Sequence, residues 1–350
     1  MGTHQKMGVL IVDDSLVSRE ILRKGLSRSA QIEVVGVAGD PYEAVEKIEA
    51  LEPDVLTLDI NMPKMDGLTF LRKLMAQHPM PVIVISSSAN SVFEALEAGA
   101  VDFVAKPEIS SVSELETFLD EVVSKVKIAS KATTQKGKAA EAVKPETLGI
   151  RPSKDIHLIA MGASTGGTDA LLTVLKTLPE NIPGIVIVQH MPPVFTRMYA
   201  ERLNSQCSLD VKEAKSGDEI KPGSVLVAPG EFQMKVLKDK HRYVVKCTRG
   251  EKVSGHCPSV DVLFQSAAET AGEKAVGIIL TGMGSDGAKG LLHMRKAGAY
   301  TIGQDRNSCV VYGMPMVAFN IGAVAKQLSL ERIGPELIRY LQNLMARNGA

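Results

Sequence analysis

Tryptophan is absent from this 350-residue chain, and aromatic residues of all kinds make up only 4% of it. The formal net charge is zero, and no basic block carries interleaved aromatics, so nucleic acid is excluded as a main partner. Cysteine is sparse. Cys207, Cys247, Cys257 and Cys309 form no C-x-x-C pair, and no histidine cluster sits beside them at zinc-ligand spacing. That argues against a disulfide scaffold or structural zinc and for reduced, mostly buried thiols in a cytoplasmic protein. No apolar run approaches the roughly 20 residues of a membrane span. The N-terminus lacks the apolar core of a signal peptide, and Lys6 stands where a myristoylation signal wants Ser or Thr. Residues before Met7 read as an unstructured leader. Gly, Ala, Val, Ile and Leu are what the chain has in plenty, as close-packed α/β layers require, and its length allows two domains.

In the first half, residues 9–12, 33–38, 54–58, 81–85 and 101–105 read as strands. Helical patterns follow them: one with Ile21, Leu22 and Leu26 on a face, then 41–50 opened by Pro41, one starting at Asp66-Gly67, 92–98 stopped by Gly99, and 112–128. Repeated β-α units predict a parallel sheet with helices on both faces, and such sheets bind ligands at the carboxyl ends of their strands. The polar residues at those ends are Asp13, Asp14, Asp59, Ser86 and Lys106. Converging carboxylates repel one another, and a hard divalent cation such as Mg²⁺ relieves this through oxygen ligation. A lysine and a hydroxyl beside them suit a phosphoryl group, with Asp59 as the nucleophile that becomes an acyl phosphate. Each residue alone has a plainer reading, as a turn former, a helix cap or a solvated side chain. The set together is hard to produce by accident.

These residues lie in Val12-Asp13-Asp14-Ser15, in Leu58-Asp59-Ile60-Asn61-Met62-Pro63-Lys64-Met65-Asp66-Gly67, at Ser86, and in Lys106-Pro107 behind Phe103. Over 7–127 the chain resembles the receiver domain of two-component response regulators, a flavodoxin-like five-stranded parallel fold. The resemblance implies that Asp59 is the phosphoacceptor and that Mg²⁺ is held by Asp13, Asp14, Asp59 and the backbone carbonyl of Asn61. Ser86 and Lys106 would bind the phosphoryl group, with Phe103 as the switch aromatic and a histidine kinase as phosphodonor.

Composition then shifts to Lys, Ala, Thr, Gln, Gly, Glu and Pro with little apolar periodicity, which reads as a flexible or partly helical tether over 129–151. The boundaries expected are 7–127 for the first domain, 128–152 for the linker and 153–350 for the second domain.

The second half opens on an apolar run that enters Gly162-Ala163-Ser164-Thr165-Gly166-Gly167, with a helical pattern over 169–177. Gly162, Ser164 and Gly166 fit the G-x-S-x-G nucleophile elbow, although a glycine-rich βα turn that cradles phosphate has the same look. Further strands are expected at 183–188, 210–214, 224–228, 275–280 and 300–304, and a hairpin from 232–237 and 243–247. Helices are expected at 195–203, 260–269, from 287 to about 296, and at 335–346, with another opening at 316–320. The pattern is a doubly wound, Rossmann-like α/β domain with a small hairpin.

Three strand ends there carry Ser164, His190 and Asp286. A serine hydroxyl needs a base, His190 has a suitable intrinsic pKa, and a buried carboxylate would fix its tautomer and stabilise the imidazolium. Backbone N–H groups near Ser164 and Met283 suit an oxyanion. The chain order Ser, His, Asp differs from that of the α/β-hydrolases. His190 can also be read as a loop residue and Asp286 as a helix cap. Gly282, Gly284 and Gly287 match the dinucleotide fingerprint, with Asp305 near the expected acidic position, although Met283 and Asp286 crowd that turn.

From residue 156 to the C-terminal helix the chain resembles the catalytic domain of chemotaxis protein-glutamate methylesterases. The resemblance rests on Gly162 to Gly167, Gln189-His190-Met191-Pro192, Val227-Ala228-Pro229-Gly230, Pro258-Ser259-Val260-Asp261-Val262-Leu263-Phe264, Thr281 to Gly287, and Tyr312-Gly313-Met314-Pro315. It implies Ser164 as nucleophile, His190 as base, Asp286 as orienter, and Thr165 and Met283 near the oxyanion, with no cofactor for the hydrolysis. It further implies methyl-accepting chemoreceptors as substrate, a peripheral link to the membrane through them alone, methanol as product, and deamidation of particular glutamines. An unphosphorylated receiver is expected to cover the active site. Cys257 departs from the arginine common in the family. A transcriptional regulator with the same receiver would carry a basic helix-turn-helix after the tether, which this half does not supply.

Overall fold

The computed structural model describes residues 6–62, 65–107, 111–132 and 156–348. Residues 1–5 of the expected leader, Pro63 and Lys64 of the Asp59 motif, and residues 133–151 of the expected tether lie outside them. The described residues form two compact units, one up to Ala132 and one from Ile156.

The first unit runs β1 (Met7–Val12), α1 (Leu16–Leu26), β2 (Ile32–Ala38), α2 (Pro41–Leu51), β3 (Val55–Asp59), α3 (Gly67–Gln77), β4 (Val82–Ser86), α4 (Ala89–Glu97), β5 (Asp102–Ala105) and α5 (Val112–Ala129). Its sheet is parallel, in the order β2-β1-β3-β4-β5. Strands β3 and β4 are buried along their whole length, which is why they read as continuous rather than alternating apolar runs. Asp40 and Asp66 accept from backbone N–H groups in the first turns of α2 and α3, so these helices begin where their caps stand. The strand order reverses between β1 and β3, which opens a crevice flanked by Asp13 and Asp59. Helix α5 extends to Ala129, so the first residues assigned to the linker are helical.

The second unit runs β6 (Leu158–Ala163), α6 (Gly167–Leu175), β7 (Gly184–Gln189), α7 (Phe195–Gln206), β8 (Asp210–Glu213), β9 (Ser224–Val227), the hairpin β10 (Phe232–Asp239) and β11 (Arg242–Arg249), and α8 (Val260–Ala271). It continues with β12 (Ala275–Ile279), α9 (Ala288–Lys296), β13 (Tyr300–Gln304), α10 (Met314–Asn320), β14 (Lys326–Leu328) and α11 (Leu330–Asn348). Seven parallel strands lie in the order β14-β13-β12-β6-β7-β9-β8. Strands β6, β7 and β12 are wholly buried and adjacent, and the winding reverses between β6 and β12. The hairpin stands outside this sheet. It buries Met234, Val236, Tyr243 and Val245, and Val236 N–H donates to Ser266 Oγ of α8 at 2.9 Å.

Two expectations need correction. Helix α11 begins at Leu330, so Pro335 lies inside it rather than at its start. Proline signals a first turn, yet Pro335 stands at the sixth residue of the helix, next to Gly334, which sits directly against Thr177 just past the end of α6. The three-residue edge strand β14 is too short to leave a periodic signal. The thiols are free, as expected, but only Cys309 is buried; Cys207, Cys247 and Cys257 are half-buried.

Candidate functional site

Parallel register sets the site in the second unit. Ala163 pairs with Gln189, so Ser164 and His190 are the next residues beyond the ends of neighbouring strands, and His190 N–H donates to Ala163 O at 3.2 Å. On the other side of β6, Ser164 N–H donates to Thr281 O at 3.0 Å, just past the end of β12. The turn after Ser164 closes through Gly167 N–H to Ser164 O at 2.7 Å, and Gln189 Nε2 donates to the same carbonyl at 3.0 Å. Gly166 has φ +74°, a conformation a side chain would strain. Gly162 is required for space: a Cβ there would lie 2.1 Å from Val260 Cγ1.

Asp286 is 1% exposed and fully engaged. Its Oδ2 accepts from His190 Nε2 at 2.7 Å and from Val260 N–H at 2.8 Å. Its Oδ1 accepts from Ser259 Oγ at 2.7 Å and from Asp261 N–H at 3.0 Å. The carboxylate thus sits on the N-terminus of α8, where free N–H groups and the helix dipole favour negative charge. Burial pushes its pKa up, but the bond and charge of His190 with the α8 donors outweigh this and hold it below the ordinary value. With Nε2 committed to Asp286, His190 Nδ1 is buried and has no hydrogen-bond partner. The face of the His190 ring stacks on His256, centroids 3.6 Å apart and planes 9° apart.

Thr165 is buried, and its carbonyl accepts from Thr281 Oγ1 at 3.0 Å. Met283 is 37% exposed, in the loop that begins at Thr281. That loop is strapped by the segment after β13: Gly313 and Met314 N–H groups both donate to Gly282 O, at 3.1 and 2.7 Å. The Tyr312-Gly313-Met314 motif is explained by this strap. The dinucleotide alternative is answered by the same geometry, because Asp286 turns inward to α8 and Asp305 Oδ1 is taken by Ser308 N–H and Oγ.

In the first unit, Asp13, Asp14 and Asp59 offer carboxylate oxygens that lie within 4.8 Å of one another. Lys106 Nζ donates to Asp13 Oδ2 at 2.9 Å and to Asp59 Oδ2 at 2.6 Å. Burial lowers the Lys106 pKa, but the bonds and charges of Asp59 and Asp13 outweigh it and leave the ammonium above its ordinary value. Arg19 Nη1 donates to the Asp13 and Asp14 carbonyls at 2.6 and 3.0 Å, and two cations against three carboxylates still leave an oxygen-rich, net negative pocket that fits a hard divalent cation. Asn61 N–H donates to Asp59 Oδ1 at 3.1 Å, which places Asn61 beside the cluster. Ser86 is buried, its Oγ accepting from Ser88 N–H at 3.1 Å, and Lys106 N–H donates to Ser86 O. Phe103 is 3% exposed, with Lys125 Nζ 4.9 Å over its ring.

Sequence reasoning assigned no role to Ser259, Gln233 or His256. Ser259 reads as the N-cap of α8, but nothing local shows that the same helix start receives a carboxylate from 27 residues away. Gln233 is a polar residue on an alternating strand and His256 a histidine in a loop, and only the tertiary structure brings His256 onto His190 and Gln233 against His256 and Ser259.

Comparisons with known proteins identify both units. Residues 159–337 match the CheB methylesterase family, and residues 9–119 match the response regulator receiver domain. The protein-glutamate methylesterase/protein-glutamine glutaminase 2 of Syntrophomonas wolfei is 54% identical over 340 residues, 97% of this chain and 99% of its own. That of Syntrophotalea carbinolica is 49% identical over 347 residues, 96% of this chain and 98% of its own. The crystal structure of the Thermotoga maritima CheB methylesterase catalytic domain aligns at 38% identity with a TM-score of 0.52, covering 53% of this chain and 98% of that one. Fold and sites define a hydrolase governed by a receiver domain. The chain belongs to the CheB methylesterase family, the protein-glutamate methylesterase/protein-glutamine glutaminases built from a receiver and a methylesterase domain.

Proposed function

We propose that Ser164, His190 and Asp286 carry out acyl transfer on glutamate methyl esters, and on particular glutamines, of methyl-accepting chemoreceptors. The observation that supports this best is the state of His190: Nε2 is bound to a carboxylate and Nδ1 is buried with no partner, just past the end of the strand that neighbours the one leading to Ser164. The Nε2–H tautomer is fixed by Asp286, which leaves the Nδ1 lone pair as the base. Ser164 Oγ attacks the ester carbonyl as Nδ1 takes its proton, and Asp286 stabilises the resulting imidazolium. Backbone N–H groups of Thr165 and Met283 receive the oxyanion. His190 returns the proton to the leaving methoxide oxygen, which departs as methanol, or to the amide nitrogen when the substrate is glutamine, which departs as ammonia. Water, activated in turn by Nδ1, then attacks the acyl-serine and releases a glutamate carboxylate.

Control comes from the receiver unit. Asp59 is the phosphoacceptor, a histidine kinase the phosphodonor, and Ser86 and Lys106 the groups that hold the phosphoryl oxygens. Asp13, Asp14, Asp59 and the Asn61 carbonyl would hold Mg²⁺, which when bound offsets the negative charge of the pocket and of the incoming phosphoryl group. Phosphorylation draws Ser86 and Lys106 toward the new charge, with Phe103 as the buried reporter of that shift. No described helix is long and apolar enough to cross a membrane; contact with the membrane is through the receptors, on the cytoplasmic side where the kinase works.

The test is methanol release from methylated receptor membranes by wild type and Ser164→Ala, with and without a small-molecule phosphodonor and Mg²⁺. Release that requires Ser164 and rises with phosphodonor is expected. Equal release by the variant overturns the assignment of the nucleophile.

A further inference from the structure

His190 is gripped from two directions by one short stretch of chain. On its edge, Asp286 is held by Ser259 Oγ and by the N–H groups of Val260 and Asp261. On its face lies His256, three residues before Ser259, at 3.6 Å and nearly parallel. Gln233 of β10, 6% exposed, ties the two parts together: its Nε2 donates to His256 O at 3.2 Å and to Glu251 O at 3.0 Å, and its Oε1 accepts from Ser259 N–H at 2.8 Å. His256 and Val253 further exchange backbone hydrogen bonds, both at 2.9 Å. The backbone beneath the His256 ring is therefore fixed relative to the helix start that seats Asp286.

The edge contact alone does not determine where Nδ1 points. Histidine χ2 has a broad, soft profile, and Nε2 lies nearer the Cβ–Cγ axis than Nδ1 does, so a hydrogen bond at Nε2 resists rotation of the ring less than one at Nδ1 would. Nδ1 lies farther from that axis and sweeps out of line as the ring turns. Nothing bonds to Nδ1 to prevent this. A flat group packed on the ring face does prevent it, because turning the ring drives its edge into the neighbour.

We infer that His256 is a positioning residue for the hydrolysis: its imidazole, stacked on His190, sets the plane of that ring and so keeps Nδ1 in line with Ser164 Oγ. The inference rests on the reading of His190 as the general base. What it requires of residue 256 is a planar side chain of about the right size, not a proton or a charge.

The experiment compares kcat and KM for methanol release from methylated receptor membranes by the full chain as wild type, His256→Ala, His256→Phe and His190→Ala, each checked for an unchanged melting transition of the catalytic unit. Loss of alignment at the base costs rate rather than affinity, so His256→Ala is expected to lower kcat by about 10- to 100-fold with KM within about twofold. His256→Phe, which stacks but cannot titrate or hydrogen-bond, is expected to return kcat to within about threefold of wild type. An unchanged kcat in His256→Ala overturns the inference. A folded His256→Phe as slow as His256→Ala also overturns it, because the requirement would then be for imidazole chemistry. Wild-type kcat in His190→Ala would instead remove the underlying reading of the base, and so separates the two failures.

Discussion

His190 Nε2 lies 2.7 Å from Asp286 Oδ2, and the same oxygen also accepts the N–H of Val260, the first residue of α8. The Asp286 carboxylate is therefore a guest at a helix N-terminus, and all four of its hydrogen bonds come from donors that suit an anion. An amide in its place must turn its NH₂ toward at least one of these donors. Asp286→Asn is predicted to lower kcat by about 10³- to 10⁴-fold through the wrong His190 tautomer, with KM little changed. Steady-state methanol release checks this, and a loss under tenfold would rule out a tautomer-fixing role.

The same seat makes stability depend on acid. The Asp286 carboxyl titrates below its ordinary value of 3.8 in the folded chain, so its charged form stabilises the native state. By linkage that contribution is fully present above pH 3.8 and is lost as pH falls through the lower, folded-state value. The urea midpoint of wild type should exceed that of Asp286→Asn at about pH 5, and the margin should shrink below about pH 4. Other acid-sensitive carboxyls, such as Glu336 and Asp218, are common to both proteins and cancel in the difference. A margin that widens in acid would contradict the seat described.

Val260 fills the space left by two glycines: a Cβ on Gly162 would meet its Cγ1 at 2.1 Å and one on Gly287 at 2.5 Å. Gly162→Ala is predicted to destabilise the catalytic unit by about 1–3 kcal/mol through overpacking, and to slow hydrolysis by pushing the α8 N-terminus away from β6. Adding Val260→Ala should recover part of both losses, with a coupling of about 1 kcal/mol or more in a double-mutant cycle of chemical melts. Strict additivity would show that the two sites do not press on each other.

In the receiver unit Lys106 is the counter-charge to Asp13 and Asp59. Asp59→Asn is predicted to keep basal hydrolysis and lose stimulation by phosphodonor; strong stimulation in that variant would sink the switch proposal. Lys106→Ala removes the cation that bonds the Asp13 and Asp59 carboxylates directly, so Mg²⁺ should raise its melting temperature more than it raises that of wild type. A smaller Mg²⁺-induced rise in the variant would mean that the cation does not enter among these carboxylates.

Strands and helices in both units were legible because their signals are local. The wholly buried β3, β4, β6, β7 and β12 show as β-rich runs, and Asp40, Asp66 and Ser259 stand where caps should. Candidate residues were legible because doubly wound sheets put function at strand ends, and Ser164, His190 and Asp59 stand there. What stayed hidden depends on contacts between distant segments. The α8 seat of Asp286, the strap of residues 311–314 on Gly282, and the ring packed on His190 leave no periodic trace. Pro335 misled for a related reason: its local preference is for a helix start, and packing of α11 overrides it.

The burial of the His190–Asp286 pair has a consequence for how salt acts on this enzyme. Charges separated by protein rather than water are poorly screened, since mobile ions act through solvent over a Debye length of about 8–10 Å at ordinary ionic strength. With side-chain exposures of 8% and 1%, this pair is out of their reach. The chemical step should therefore be indifferent to added salt, while any contribution of exposed charges to encounter with the receptor should weaken as salt is added. Ionic strength becomes a handle that separates capture of the substrate from its conversion.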